Sequence, residues 1–196
     1  MTRKSDFNVI RALGRGSFGV TFLINEVSSG KELVCKRMTL VDENDRRMAL
    51  DEAEMLRSNQ NEFLVQFIGS FEEKDEFFLL MEYCDKGDLR KYMIQLKEWG
   101  AFVSEDKLWD LFAQMSEALH SLHSKNIIHR DLKPENVFLT KKMQVKLGDL
   151  EMARIEASST GQQTKIGGTT EYQPPELLSE DEEEDSDDLT NINERS

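Results

Sequence analysis

The amino-terminal part of the sequence contains a glycine-rich segment whose spacing suits contact with phosphate. Residues 14–19 read GRGSFG, a G-x-G-x-x-G pattern whose glycines let the backbone approach phosphate oxygens and direct N–H groups at them. A strand-like run, VTFLI, follows at 20–24, whereas the dinucleotide-binding form of this motif continues into a helix. The residues alone predict either a phosphate-binding hairpin or an ordinary glycine-rich turn.

One lysine stands among apolar residues on the next predicted strand but one. Lys36 follows Leu33, Val34 and Cys35, and a buried ammonium without an anionic partner is costly. Glu52 lies on the following predicted helix and is a candidate partner. The alternative is a surface lysine on an edge strand, and the residues leave it open.

The elements that must position these residues differ between the two halves of the chain. In the first half, apolar, β-branched and aromatic residues with turn signals predict strands at 7–13, 20–25, 32–38, 64–68 and 77–81. In the first of these strands, Phe7, Val9 and Leu13 form a half-buried pattern. A helix is predicted at 45–58 from the spacing of Met48, Glu52, Met55 and Leu56.

In the second half the spacing becomes helical. Ser104 is the predicted helix cap, and the apolar residues after it recur every three or four positions and predict one buried stripe: Leu108, Phe112, Met115, Leu119 and Leu122. Asn126 is the predicted stop. A polar loop at 129–136 and short strands at 137–139 and 145–147 follow. The sequence therefore predicts a β-rich half followed by a helical half.

Composition excludes several classes of protein. The chain has 196 residues, a formal net charge of −13 and 38% hydrophobic residues, enough for a core. This acidic balance argues against nucleic-acid binding. Two cysteines are too few for a disulfide scaffold or a four-ligand zinc site. No apolar run approaches the roughly 18 residues that a membrane span requires. A cytoplasmic or nuclear protein with neither nucleic-acid nor membrane partner is predicted.

The acidic residues are concentrated near the carboxyl end. Residues 179–188 read SEDEEEDSDD, with eight acidic residues in ten positions. Such a block repels itself and buries nothing, so a flexible segment is predicted at 179–196. A basic partner for this segment is one further interpretation.

The loop at 129–136 reads HRDLKPEN and resembles the catalytic loop of eukaryotic protein kinases, H-R-D-L-x-x-x-N. Its Lys-Pro-Glu is more similar to Ser/Thr kinases than to tyrosine kinases. Residues 148–151, GDLE, stand where the family has D-F-G, and 168–176 resemble the segment ending in A-P-E. The sequences of residues 136–139 and 145–149 are similar to the corresponding segments of NIMA-related kinases. The resemblance implies an α+β, bilobal fold with a β-rich N-lobe at 7–83 and an incomplete, mainly helical C-lobe at 84–178.

The same resemblance implies transfer of the γ-phosphoryl group of Mg-ATP to Ser or Thr hydroxyls of a protein substrate. Asp131 would be the catalytic base, and Lys133 would neutralise charge on the transferring phosphate. Lys36, fixed by Glu52, would hold the α- and β-phosphates. The implied Mg²⁺ ligands are Asn136 and Asp149.

The resemblance also implies an adenine site. Met81 would be the gatekeeper, and the backbone of Glu82 and Cys84 would bond the base. The remaining implied nucleotide contacts are Leu13, Gly14, Gly16, Ser17, Phe18, Gly19, Thr21, Val34 and Phe138. Thr21 stands where the family has valine, a change close in shape.

Three further features depart from the family. Leu150 replaces phenylalanine and keeps an apolar plug, but Glu151 replaces glycine, which predicts backbone strain and either repulsion of phosphates or an added metal ligand. The chain ends where the family continues into further helices, which predicts a fragment with an uncovered face on the 104–125 helix. Glu151 and this ending motivate a second hypothesis, a non-catalytic ATP-binding pseudokinase. Ser158, Ser159, Thr160 and Thr164 are candidate phosphorylation sites.

Overall fold

The computed structural model describes residues 2–16, 19–155 and 169–173. Several predictions lie outside these residues: the nucleotide contacts of Ser17 and Phe18, the four candidate phosphorylation sites, the end of the A-P-E-like segment and the acidic segment 179–196. In the part of the chain that is described, no helix is long and apolar enough to cross a membrane.

The first half forms one antiparallel sheet of five strands, in the spatial order β1-β2-β3-β5-β4. The strands are β1 (Phe7–Gly16), β2 (Gly19–Glu26), β3 (Glu32–Thr39), β4 (Phe67–Glu73) and β5 (Glu76–Glu82), and a 3₁₀ turn at Lys4–Asp6 precedes them. This arrangement confirms the β-rich first half.

One helix, α1 (Glu43–Ser58), connects β3 to the second pair of strands. The Asp42 carboxylate caps it by accepting from the backbone N–H of Asp45 at 2.9 Å. Its buried face carries Ala49, Glu52, Ala53 and Leu56. A buried glutamate at the centre of this face must find a cation, and the sheet supplies one.

The second half is mainly helical, with short strand pairs. The helices are α2 (Leu89–Glu98) and α3 (Glu105–His123), with 3₁₀ turns at Pro134–Asn136 and Thr170–Tyr172. The strands are β6 (Ile127–Ile128), β7 (Val137–Leu139), β8 (Val145–Leu147) and β9 (Arg154–Ile155), paired β6 with β9 and β7 with β8. Together with the sheet, this confirms the predicted α+β class.

The larger of two hydrophobic clusters among the described residues joins the two halves of the chain. It contains Leu79 of the sheet and Leu56 of α1 together with Leu122 of α3 and Leu147 of β8. Leu64 also belongs to it and pairs with Leu147 in a parallel bridge. The predicted strand at 64–68 was therefore wrong in its start, because 63–65 pair with β8 and β4 begins at Phe67.

Two predictions of burial were also wrong. Val9 is 63% exposed, because β1 is an edge strand of the sheet on which only Phe7 and Leu13 are half-buried. On α3 the buried residues are Leu111, Ala118 and Leu122, whereas Leu108 and Phe112 are more than half exposed. The apolar residues of α3 therefore lie on two sides of the helix, one of which is uncovered, as predicted. The helix α2 was not predicted, although Leu89 and Tyr92 lie three residues apart and pack against the core.

Shortening a leucine side chain on the buried side of α3 is expected to destabilise the protein more than the same change on the exposed side. Leu122→Ala is expected to lower the free energy of unfolding by about 2–5 kcal/mol, because Leu122 is completely buried and a cavity would remain. Leu108→Ala, on the same helix, is expected to change it by no more than about 0.5 kcal/mol, because that side chain is exposed. Urea denaturation of both variants measures this, and equal losses would show that the burial on α3 is misassigned.

Candidate active site

The centre of the sheet presents Lys36 to α1. Residues alternate along β3, so Leu33 and Cys35 are buried on one side while Val34 and Lys36 lie on the other, less buried side. The Lys36 ammonium contacts both carboxylate oxygens of Glu52 at 2.8 Å. The lysine is thus an interior residue with the partner that the sequence suggested, and the alternative of an edge-strand lysine is excluded because β3 pairs on both sides.

The glycine-rich segment closes the hairpin between β1 and β2. Gly16, the last residue of β1, pairs with Gly19, the first residue of β2. A Cβ on Gly19 would lie 2.3 Å from the carbonyl oxygen of Arg37, so glycine is required for β2 to approach β3 there. A Cβ on Gly14 or Gly16 would meet nothing within 4 Å. The first two glycines therefore face open space, where a ligand could approach the backbone.

Asp131 lies at the centre of a hydrogen-bond network in the loop after β6. Its Oδ2 oxygen accepts from the Lys133 ammonium at 2.7 Å and from the Asn136 amide at 3.0 Å. Its Oδ1 oxygen accepts from the backbone N–H of Thr169 at 3.1 Å and from the Thr169 hydroxyl at 2.9 Å. Both oxygens are fixed by donors, and the carboxylate is 8% exposed.

The electrostatics of Asp131 keep it ionised. Burial opposes its charge, but the hydrogen bonds from Lys133 and Thr169 outweigh burial and hold the pKa of Asp131 below its ordinary value. An ionised, oriented carboxylate beside a lysine can accept a proton from a hydroxyl group and has a cation next to it.

His129 connects this loop to the segment that carries Asp149. Its Nδ1 accepts from the backbone N–H of Asp131 at 3.3 Å, so its Nε2 is the protonated nitrogen and donates to the Gly148 carbonyl at 3.0 Å. Burial lowers the pKa of His129, which keeps the ring neutral. Gly148 itself has no room for a side chain, because a Cβ would lie 2.8 Å from Val65 and 2.9 Å from Phe138.

The residue before Asp149 contacts Asn136 through the backbone, since the Gly148 N–H donates to the Asn136 carbonyl at 2.9 Å. Asp149 has a left-handed backbone, with φ of 59°, a conformation that is costly for a residue other than glycine. Partial desolvation raises the pKa of Asp149; the charge of Lys36 lowers it, and the charges of Glu151 and Asp131 raise it. The charges of Lys36, Glu151 and Asp131 therefore all act on the Asp149 carboxylate.

The oxygen atoms of the Asn136 and Asp149 side chains are suitable ligands for Mg²⁺. The amide nitrogen of Asn136 is committed to Asp131, so its oxygen is the end that can ligate. Asp149 adds a carboxylate, and Mg²⁺ commonly takes one or two carboxylates and completes its shell with water and phosphate. Among residues 2–16, 19–155 and 169–173, no group of three or more His, Cys, Asp or Glu side chains is placed to hold a metal alone.

The residues implied for adenine occupy neighbouring strands. Thr21 pairs with Lys36, and Val34 pairs with Met81. The Glu82 N–H donates to the Gln66 carbonyl and the Cys84 carbonyl accepts from Gly87 N–H, both at 3.0 Å. Leu13 and Phe138 are half-buried, on β1 and β7. Burial raises the pKa of the Cys84 thiol to about 12.

Two residues near Lys36 and Asp131 have contacts that the sequence did not reveal. Glu151 contacts the Lys36 ammonium at 2.6 Å. The positive φ of this stretch falls on Asp149 and not on Glu151, so the predicted strain at Glu151 was wrong. Thr169 bonds both Asp131 and Lys133, and the only signal for it was a hydroxyl residue inside the A-P-E-like segment.

The neutral state of His129 predicts a pH dependence of stability. In the unfolded chain histidine titrates at about pH 6.5, whereas burial lowers the pKa of His129 in the folded protein. From about pH 7 to about pH 5 the unfolded state therefore gains a proton that the folded state does not, and stability falls, by at most about 1.4 kcal/mol per pH unit. Urea denaturation across this range should show a shallower fall in His129→Gln than in the exposed-residue control His120→Gln. Identical slopes in both variants would contradict the neutral assignment.

A five-stranded sheet with a lysine–glutamate pair, together with an aspartate held by a lysine and an asparagine, indicates a protein kinase. Residues 7–189 match the family described as protein kinase domain. The chain belongs to this family.

Known relatives agree with that assignment. The chain is 35% identical over 172 residues to serine/threonine-protein kinase Nek3 of Mus musculus, covering 88% of this chain and 33% of the relative. It is 35% identical over 179 residues to serine/threonine-protein kinase Nek5 of Homo sapiens, covering 87% and 24%. It is 34% identical over 176 residues to Aurora kinase of Yarrowia lipolytica, covering 88% and 46%. These relatives confirm the resemblance to NIMA-related kinases, and the chain spans about a third or less of the two Nek proteins.

Proposed function

We propose that this chain provides the nucleotide-binding and catalytic residues of a protein serine/threonine kinase, which transfers the γ-phosphoryl group of Mg-ATP to a Ser or Thr hydroxyl of a protein. The observation that carries the proposal is the network around Asp131, in which Lys133, Asn136 and Thr169 fix both carboxylate oxygens. A carboxylate oriented in this way suits the removal of a proton from an attacking hydroxyl.

Each remaining residue has a task in the proposed reaction. Lys36 would bind the α- and β-phosphates, and Asn136 and Asp149 would hold Mg²⁺, which when bound neutralises charge on the phosphates. Lys133, 2.7 Å from Asp131, would add a positive charge where the phosphoryl group is transferred. Because the Glu82 N–H and the Cys84 carbonyl are committed within the protein, an adenine would have to use the Glu82 carbonyl and the Cys84 N–H.

A second candidate function is an ATP-binding pseudokinase. The contact between Glu151 and Lys36 favours it, because the lysine that would hold phosphates is already engaged by an additional carboxylate. Both functions require nucleotide binding, and they differ in whether phosphoryl transfer follows.

Thermal unfolding with nucleotide tests the shared requirement. ATP with Mg²⁺ at about 100 times its dissociation constant is expected to stabilise the chain by about 2.7 kcal/mol. The part of this stabilisation that depends on Mg²⁺ should disappear in Asp149→Asn. The exposed control Asp106→Asn should retain it. Incubation with [γ-³²P]ATP and a protein substrate then separates the two functions, since only the kinase incorporates label. Absence of any nucleotide effect in the unaltered chain would contradict both.

A further inference from the structure

Lys36, Glu52 and Glu151, called the Lys36 cluster below, saturate one ammonium group with carboxylate oxygens. A lysine ammonium has three N–H donors. Two are directed at the Oε1 and Oε2 oxygens of Glu52 at 2.8 Å, and the third at the Oε2 oxygen of Glu151 at 2.6 Å. The ammonium therefore has no donor left for a phosphate unless one carboxylate withdraws.

The two carboxylates are not equally held. Glu52 lies in the middle of α1, uses both oxygens and is 8% exposed. Glu151 uses one oxygen, is 18% exposed and belongs to the turn between β8 and β9 rather than to a helix or strand. Glu151 is therefore the carboxylate that an incoming phosphate would displace.

The charges of the crevice make this displacement costly. Glu52, Glu151 and Asp149 act together on the one ammonium of Lys36, so the crevice carries an excess of negative charge. A carboxylate that loses Lys36 would remain beside the phosphate anions and repel them. Both the lost contact and the repulsion act only on ligands that carry phosphate.

We propose that Glu151 competes with nucleotide phosphates for Lys36 and so determines how strongly this cleft prefers phosphorylated adenine ligands over adenosine. This inference rests on the proposed function, because it assumes that adenine nucleotides occupy the cleft. Of the two effects predicted from the sequence for Glu151, repulsion of phosphates and ligation of metal, we therefore propose the repulsion of phosphates.

Isothermal titration of the whole chain with ADP and with adenosine, each with Mg²⁺ and with a chelator, tests the proposal. Glu151→Gln, which is isosteric, and Glu151→Ala, which removes the group, should each bind ADP about tenfold more tightly, with or without Mg²⁺. Adenosine affinity should not change. Glu117→Gln, which removes one exposed carboxylate from α3, controls for net charge and should behave as the unaltered chain.

A double-mutant cycle identifies Lys36 as the intermediary. In a Lys36→Met background, Glu151→Gln should tighten ADP binding by less, because only the repulsion of the phosphates remains to be relieved and there is no ammonium to release. A gain of the same size in that background would overturn the proposal.

The other outcomes are equally decisive. Unchanged ADP affinity in both Glu151 variants would overturn the inference and leave the proposed function standing, as would a parallel change for adenosine. Weaker ADP binding confined to the Mg²⁺ arm would show Glu151 to be a metal ligand and would also overturn it. Failure of every form of the chain to bind either ligand would count against the proposed function itself, and the inference would fall with it.

Discussion

Replacing Asp131 with asparagine is expected to lower the rate of phosphoryl transfer by about 10²–10⁴-fold, the usual contribution of a general base. Asparagine has nearly the same size, but its amide cannot take a proton from a hydroxyl group. It also places one N–H₂ group among the donors Lys133, Asn136 and Thr169, which now all point at oxygens of Asp131. Incorporation of ³²P into a protein substrate measures the rate.

Two controls separate this effect from misfolding. Asp106→Asn makes the same chemical change at an exposed position in the first turn of α3 and should leave the rate unaltered. Binding of Mg-ADP to Asp131→Asn should remain within about threefold of the unaltered chain, since Asp131 is assigned to the proton and not to the nucleotide. Equal ³²P incorporation by Asp131→Asn and the unaltered chain would contradict the role proposed for Asp131.

Replacing Lys36 with methionine is expected to cost about 3–5 kcal/mol of unfolding free energy, the penalty for removing one partner of a buried ion pair. Lys36, Glu52 and Glu151 are all less than one-fifth exposed, and the change would leave two carboxylates together without their cation. Binding of ADP should become weaker as well. Urea denaturation and calorimetry measure the two effects.

The two carboxylates that Lys36→Met leaves without a cation can themselves be neutralised. Adding Glu52→Gln and Glu151→Gln to Lys36→Met removes the uncompensated charges, so the triple variant should recover about half or more of the lost stability. Lys31→Met changes an exposed lysine just before β3 and should have little effect. A triple variant as unstable as Lys36→Met alone would show that packing of the lysine stem, and not charge, dominates.

Local patterns were sufficient to predict the elements that carry these residues. Alternation along β3 and the helical spacing of α1 are properties of neighbouring residues, so both elements appear close to their predicted positions. Burial on α3 could not be predicted in the same way, because apolar residues lie on two of its sides and only packing decides which is covered. Leu64 illustrates the same point, since its partner Leu147 is far away in sequence.

The site shows where a motif ceases to be informative. The pattern H-R-D-L-x-x-x-N sets the order of Asp131, Lys133 and Asn136, and the structure brings all three into contact. The contact of Glu151 with Lys36 joins residues 115 positions apart and depends on the fold around the core. No spacing rule encodes it, because the family pattern has a residue without a side chain at this position.

A crystal structure of the chain with Mg²⁺ and a non-hydrolysable ATP analogue tests the central claim most directly. The metal is expected between the Asn136 amide oxygen and the Asp149 carboxylate, with phosphates at Lys36 and the adenine beside Met81 and Cys84. A triphosphate lying instead in the groove between α1 and β9, which Met48, Met55 and Ile155 line, would contradict the assignment of the site.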